Sequence, residues 1–183
     1  MRFSKEARRV VIVGIVAFLL GGYTYVTMPE RRVFQAQGEP VPDRPVFTFN
    51  PDRITKFSVA SSGKHIAGER TANGWRTPEG SGLPSVAVDD FLTNLTKLVN
   101  LGEVERGIDD HLADYGLEPP ESHILLTVTG EGERSLTIGK HNPVNTSLYA
   151  LVNESRQVIL IGSIISWELR KLMDAIQSTA NAA

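Results

Sequence analysis

Apolar positions fall into three regimes along the chain. From Val10 to Met28 they are almost continuous, and no charge interrupts them. The stretch would reach about 28 Å as a helix, close to the thickness of a bilayer core, and inside lipid a helix satisfies its own peptide groups. This predicts a transmembrane signal-anchor helix over 10–28, with Tyr23 and Tyr25 near its outer end. From Pro29 to Pro45 there are four prolines and no periodicity, which predicts a linker. Beyond Pro45 the pattern alternates between short strand-like runs and two helical stripes.

The strand-like runs come first. Phe47–Phe49 and Ile54–Ser61 read as strands, with Phe57 and Val59 on one face. Ser61-Ser62-Gly63-Lys64 reads as a turn into Lys64–Thr71, and Asn73-Gly74 as a tight turn into Trp75–Thr77. Phe91, Leu92, Leu95, Leu98 and Val99 share one face of a helix expected over Val86–Asn100, with Ser85 as its N-cap and Gly102 as its stop. Glu103–Gly107 reads as a short strand. Asp109–Tyr115 reads as a short helix ended by Gly116, where a left-handed conformation costs glycine little. Four strands follow, at Ile124–Thr129, Ser135–Gly139, Ser147–Val152 and Gln157–Ile161. A final helix is expected over Ile164–Gln177, with Ser163 as N-cap and Ile165, Leu169, Leu172, Met173 and Ile176 facing inward.

The predicted fold class is α+β: one N-terminal transmembrane helix, then antiparallel strand groups with two main helices. The expected organisation is a basic tail over 1–9, the anchor over 10–28, the linker over 29–45 and an exported α+β domain over 46–183.

Charge adds a direction. Arg2, Lys5, Arg8 and Arg9 precede the apolar span, whereas only Arg31 and Arg32 follow it closely. The positive-inside rule then places the N-terminus in the cytoplasm and the domain outside. The expected location is the bacterial inner membrane, with a periplasmic C-terminal domain. A cleaved signal peptide is the rival, but the apolar run is long and Gly21-Gly22-Tyr23 is a poor cleavage site. The net charge of −2 argues against nucleic acid as a partner. There is no cysteine, which excludes disulfides and thiolate metal sites.

Several motifs stand in order along the domain. Phe47-x-Phe-x-Pro51-x-x-Ile54 opens it, and Gly74-Trp75-x-x-Pro78 ends the first meander. Leu112-Ala-Asp-Tyr115-Gly116-Leu117-Glu-Pro-Pro120 follows the first long helix, and Ile138-Gly139 and Tyr149-Ala150 mark later strands. Together, over roughly Val46–Ala175, they resemble a bacterial family of membrane-anchored proteins carrying a domain of unknown function. That family is associated with ABC transporters and with auxiliary components of gliding-motility-type transporters. The resemblance implies an accessory role and lends no catalytic residues. Many members have a basic residue after the Tyr-Ala pair, where this chain has Leu151. Read as structure, Trp75 seals the meander, Gly116 with Pro119-Pro120 forms a rigid stop, and Tyr149 packs with its hydroxyl at a rim.

Motifs for chemistry are scarce. His65, His111, His123 and His141 form no metal-binding pair of familiar spacing. His111 and Asp114 would share a helical face, but acidic residues beside Asp109-Asp110 also suit a helix N-terminus, so no metal site is expected. No cofactor and no catalytic site is expected either. The loop His141-Asn142-Pro143-Val144-Asn145-Thr146 is longer than a tight turn requires. It is the expected contact surface, through His141, Asn142, Pro143 and Asn145. The expected function is that of a non-enzymatic, single-pass membrane accessory protein contacting a transporter or envelope complex. The alternative is a membrane-tethered domain binding a small molecule or glycan near Trp75 or Tyr149.

Overall fold

The computed structural model describes residues 44–104, 111–153, 155 and 157–180. Eight strands form one antiparallel sheet: β1 (Ile54–Ser61), β2 (Lys64–Thr71), β3 (Gly74–Arg76), β4 (Gly102–Glu103), β5 (Ser122–Val128), β6 (Gly132–His141), β7 (Ser147–Val152) and β8 (Ile159–Gly162). Their order across the sheet is β3-β2-β1-β5-β6-β7-β8-β4. Two helices, α1 (Ser85–Thr96) and α2 (Ile164–Ala180), complete the α+β architecture. The two strand groups anticipated from the sequence are joined into one sheet where β1 pairs with β5.

Register shows why this sheet has one apolar face. Val59 pairs with Ile124 and Phe57 with Leu126; Ile124 in turn pairs with Leu136, and Ile138 with Ala150. Side chains alternate across a strand, so these residues line up on one side. That side is covered by Val88, Phe91, Leu92 and Leu95 of α1 and by Ile165, Leu169, Leu172 and Met173 of α2, in one buried core. Helix stripes of period 3.6 meet strand stripes of period 2, and each buries what the other could not bury alone.

The opposite face is mixed over β1, β2 and β5, where Ser58, His65 and His123 stand beside Ala60, Ala67 and Leu125. Toward β7 and β8 it carries a small second core of Leu117, Leu151 and Val158, with Leu112, Tyr115 and Tyr149 packed against it. Leu151, the departure from the family pattern, is thus a buried packing residue here. The 3-10 turn Leu112–Tyr115 supplies this cover and ends at Gly116 with φ 66°, the left-handed conformation expected there.

Several local expectations shift. Phe47 and Phe49 are buried but lie outside any strand. The first helix stops at Thr96, and Leu98–Asn100 turns to pair with Arg44–Val46. Ser85 is the first helical residue and not its cap; its Oγ accepts from the Trp75 N–H at 2.9 Å. Gly102 belongs to β4. The turn after β2 is centred on Ala72-Asn73, because Thr71 pairs with Gly74.

The membrane expectation is corrected. Among the described residues no helix is long and apolar enough to cross a membrane. α1 is about 18 Å long and α2 about 26 Å. α2 also carries Glu168, Arg170, Lys171 and Asp174, charges that are costly in lipid. The expected transmembrane span, 10–28, lies outside the described residues, as do the basic tail and all of the linker except Arg44 and Pro45. The expectations that required such a helix therefore lack support and are set aside. They are the signal-anchor, the integral-membrane partner, the accessory protein or tethered ligand domain built on that anchor, and the inner-membrane placement with a periplasmic domain.

Candidate functional site: a polar cleft beside the last helix

The β1–β2 connection is a two-residue turn in which Ser62 (φ 51°) and Gly63 (φ 73°) are both left-handed, the geometry that matches strand twist in a tight hairpin. The turn places Lys64 at the start of β2, where its Nζ donates to Gln177 Oε1 near the end of α2 at 3.0 Å. Beside it, Ser61 and Ser122 join their hydroxyls at 2.7 Å across β1 and β5. Between these strand ends and α2 lies a cleft of about 320 Å³. Lys64, Ser61, Ser122, Glu121 and His141 line its sheet wall, and Ser166, Arg170 and Asp174 line its helix wall above Leu169 and Met173.

His141 reaches this cleft because of a bulge. Ile138 pairs with Ala150, but His141 pairs with Leu148, so β6 has one residue more than β7 between the two pairs. An extra residue reverses the alternation of side chains. His141 therefore joins the helix-side face with Leu148. The irregularity sits at Gly139-Lys140, where the turn carrying Tyr115 and Gly116 presses on the strand. A Cβ at Gly139 would collide with the Tyr115 carbonyl oxygen, and one at Gly116 would lie 2.8 Å from the Lys140 nitrogen.

The cleft gathers charges of both signs, whereas several of the charges elsewhere are joined in pairs. Lys56–Glu69, Arg70–Asp89, Arg53–Glu131 and Lys171–Asp90 are ion pairs. Among the described residues, Lys64, Glu121, Arg170 and Asp174 take part in no ion pair. Arg170 and Asp174 are four positions apart on α2, but a base preceding an acid is the poorer order for such a pair.

The expected site residues separate into three groups. Of the contact loop, His141 lines the cleft. Asn142 is a local organiser whose Oδ1 accepts from the Thr146 and Ser147 N–H groups, and Pro143 and Asn145 are exposed at the tip. Tyr115, Gly116, Leu117, Gly139 and Tyr149 come together in the second core, with Tyr115 and Tyr149 edge to face at 4.7 Å. Trp75 is only 2% exposed and donates from Nε1 to Asp89 Oδ1 at 2.9 Å, so no open ring face remains there for stacking on a ligand. Pro78 and Pro120 are exposed. His111 Nδ1 lies 3.5 Å from Asp114 Oδ2, both at the surface, and Asp109-Asp110 lies outside the described residues. Among the described residues no group of three His, Cys, Asp or Glu could hold a metal ion.

Sequence reasoning missed Lys64, Glu121, Arg170 and Asp174. The only available sign was that Ser166, Arg170 and Asp174 recur every four residues on the polar side of the last helix.

A family model described as a domain of unknown function, DUF4340, matches residues 75–180, more than half of the chain. The match covers both helices, most of the sheet and the helix wall of the cleft. Nothing in it ties the chain to ABC-transporter or gliding-motility systems. No curated protein and no solved structure matches the chain.

Proposed function

As the chain belongs to the DUF4340 family, a domain whose function is unknown, we propose from its cleft that it is a non-enzymatic protein-binding domain that holds its partner between α2 and the β1–β2 turn. One observation carries this reading: charges of both signs line a single cleft and leave one another unpaired. A charged pair at a surface contributes little by itself, but complementary charge sets the register and the choice of a partner. The cleft is built on a helix and on strand ends, so the backbone positions of its groups are fixed before a partner arrives. The resemblance to proteins of ABC-transporter and gliding-motility-type systems adds a class of partner to test, and it rests on the five sequence motifs alone.

Site-specific photo-crosslinking in cells that make the full chain tests the proposal. A crosslinker at Ser166 is expected to capture a discrete protein adduct, and the adduct should weaken when Arg170 and Asp174 are both replaced by alanine. A crosslinker at exposed Glu79 should capture none. Equal adducts at Ser166 and Glu79, or none at Ser166, would overturn the reading.

A further inference from the structure

We propose that the cleft takes an extended polypeptide segment in which an acidic and a basic residue stand two positions apart. This rests on the protein-binding reading above and names the chemistry of the bound segment. Ser166, Arg170 and Asp174 descend one face of α2 in steps of four, and Gln177 follows them to its bond with Lys64. Four helical residues rise about 6 Å. Residues i and i+2 of an extended chain are about 6.6 Å apart and point the same way. The spacing from Arg170 to Asp174 therefore matches a carboxylate and a base at i and i+2 of a strand and does not match neighbouring residues; a helical ligand could present the same spacing at i and i+4, but a helix about 10–12 Å across does not enter a cleft of about 320 Å³.

The cleft also limits length. From Ser166 to Asp174 is about 12 Å, the reach of roughly four extended residues. Its volume of about 320 Å³ lies at the small end of ligand sites. The ligand's acid meets the Arg170 guanidinium, which can bind a carboxylate with two N–H groups, and its base meets the Asp174 carboxylate. Lys64 and Glu121 on the sheet wall add a second cation, an ammonium, and a second carboxylate. The paired hydroxyls of Ser61 and Ser122, and that of Ser166, offer donors and acceptors to the peptide backbone between the two charged side chains.

Fluorescence anisotropy of labelled, end-capped pentapeptides with the full chain tests this. The probes are Ala-Glu-Ala-Lys-Ala, its reverse Ala-Lys-Ala-Glu-Ala, the adjacent-charge Ala-Glu-Lys-Ala-Ala and the neutral Ala-Gln-Ala-Gln-Ala. One of the first two should bind roughly tenfold tighter than the other three, the product of two partly exposed charge pairs. Exchanging the two helix charges, Arg170→Asp with Asp174→Arg, should move the preference to the reverse sequence. If that double variant fails to fold by circular dichroism, Arg170→Gln replaces it and should erase the advantage of the acidic position. Equal affinity for all four peptides, a preference unmoved by the substitutions, or no binding at millimolar peptide each overturns the proposal. A Ser166 adduct in cells alongside a failed peptide titration would leave the protein-binding reading standing without this ligand class.

Discussion

At the scale of single residues, Gly139 links the two faces of the sheet. Its missing Cβ lets the Tyr115 carbonyl approach β6 on the open face, and the bulge beside it turns His141 toward α2 on the other. Gly139→Ala therefore has two expected effects. Overpacking against backbone should cost about 1–3 kcal/mol in urea unfolding. The side-chain resonances of His141 should also shift in NMR spectra, although the residue lies outside direct contact with the new methyl group. A destabilisation below about 0.5 kcal/mol with unmoved His141 resonances would show that the two features are independent. The family motifs were legible as residues that had to be glycine or aromatic. Their meeting was not, because Gly116 and Gly139 belong to segments separated by a whole strand, and only the folded sheet brings them into contact.

At the scale of elements, the joint between α1 and α2 contains a buried carboxyl group. Glu168 is 7% exposed, its Oε1 accepts from Asn94 Nδ2 at 2.9 Å, and its Oε2 is buried with no hydrogen-bond partner among the described residues. An incompletely satisfied carboxylate at a helix interface is destabilising relative to a neutral group of the same shape. Glu168→Gln keeps an oxygen for Asn94 and replaces the half-satisfied acid by a neutral amide of the same shape, so stability should rise by about 1 kcal/mol in urea melts. A loss of stability would mean that the carboxylate has a favourable partner. The helices themselves were readable from their apolar stripes, and α2 begins at the predicted residue. The end of α1 was misplaced because Leu98 and Val99 continue the helical spacing while serving another contact, the pairing of Val46 and Pro45 with the turn after the helix. An apolar residue announces burial, and not the element that buries it.

For the whole molecule, the sheet order places β1, β5 and β6 at the centre and the short strands β3 and β4 at the edges. Hydrogen exchange followed by mass spectrometry should show the slowest amides in β1, β5 and β6 and the fastest strand amides in β3 and β4, because edge hydrogen bonds open without breaking the core. Uniform protection across the sheet would contradict this gradient. The β1–β2 hairpin was visible in the sequence through its turn residues and alternation. The β1–β5 pairing was not, since no local signal tells one strand which distant strand it joins. The cleft was hidden for the same reason, as its charges come from β2, the approach to β5 and the far end of the chain.

The β1–β5 pairing also sets a timetable for synthesis. Thr55 meets Thr127 across 72 residues and Ser61 meets Ser122 across 61. At about 5–20 residues per second on the ribosome, β1 waits roughly 3–14 seconds for its neighbour to be made. For that interval Phe57 and Val59 lie on a hairpin with a free edge, open to pairing with another nascent chain. The strand that ends at the centre of the finished sheet thus begins as its most exposed edge, and crowded ribosomes on one message are where this protein is most vulnerable to aggregation.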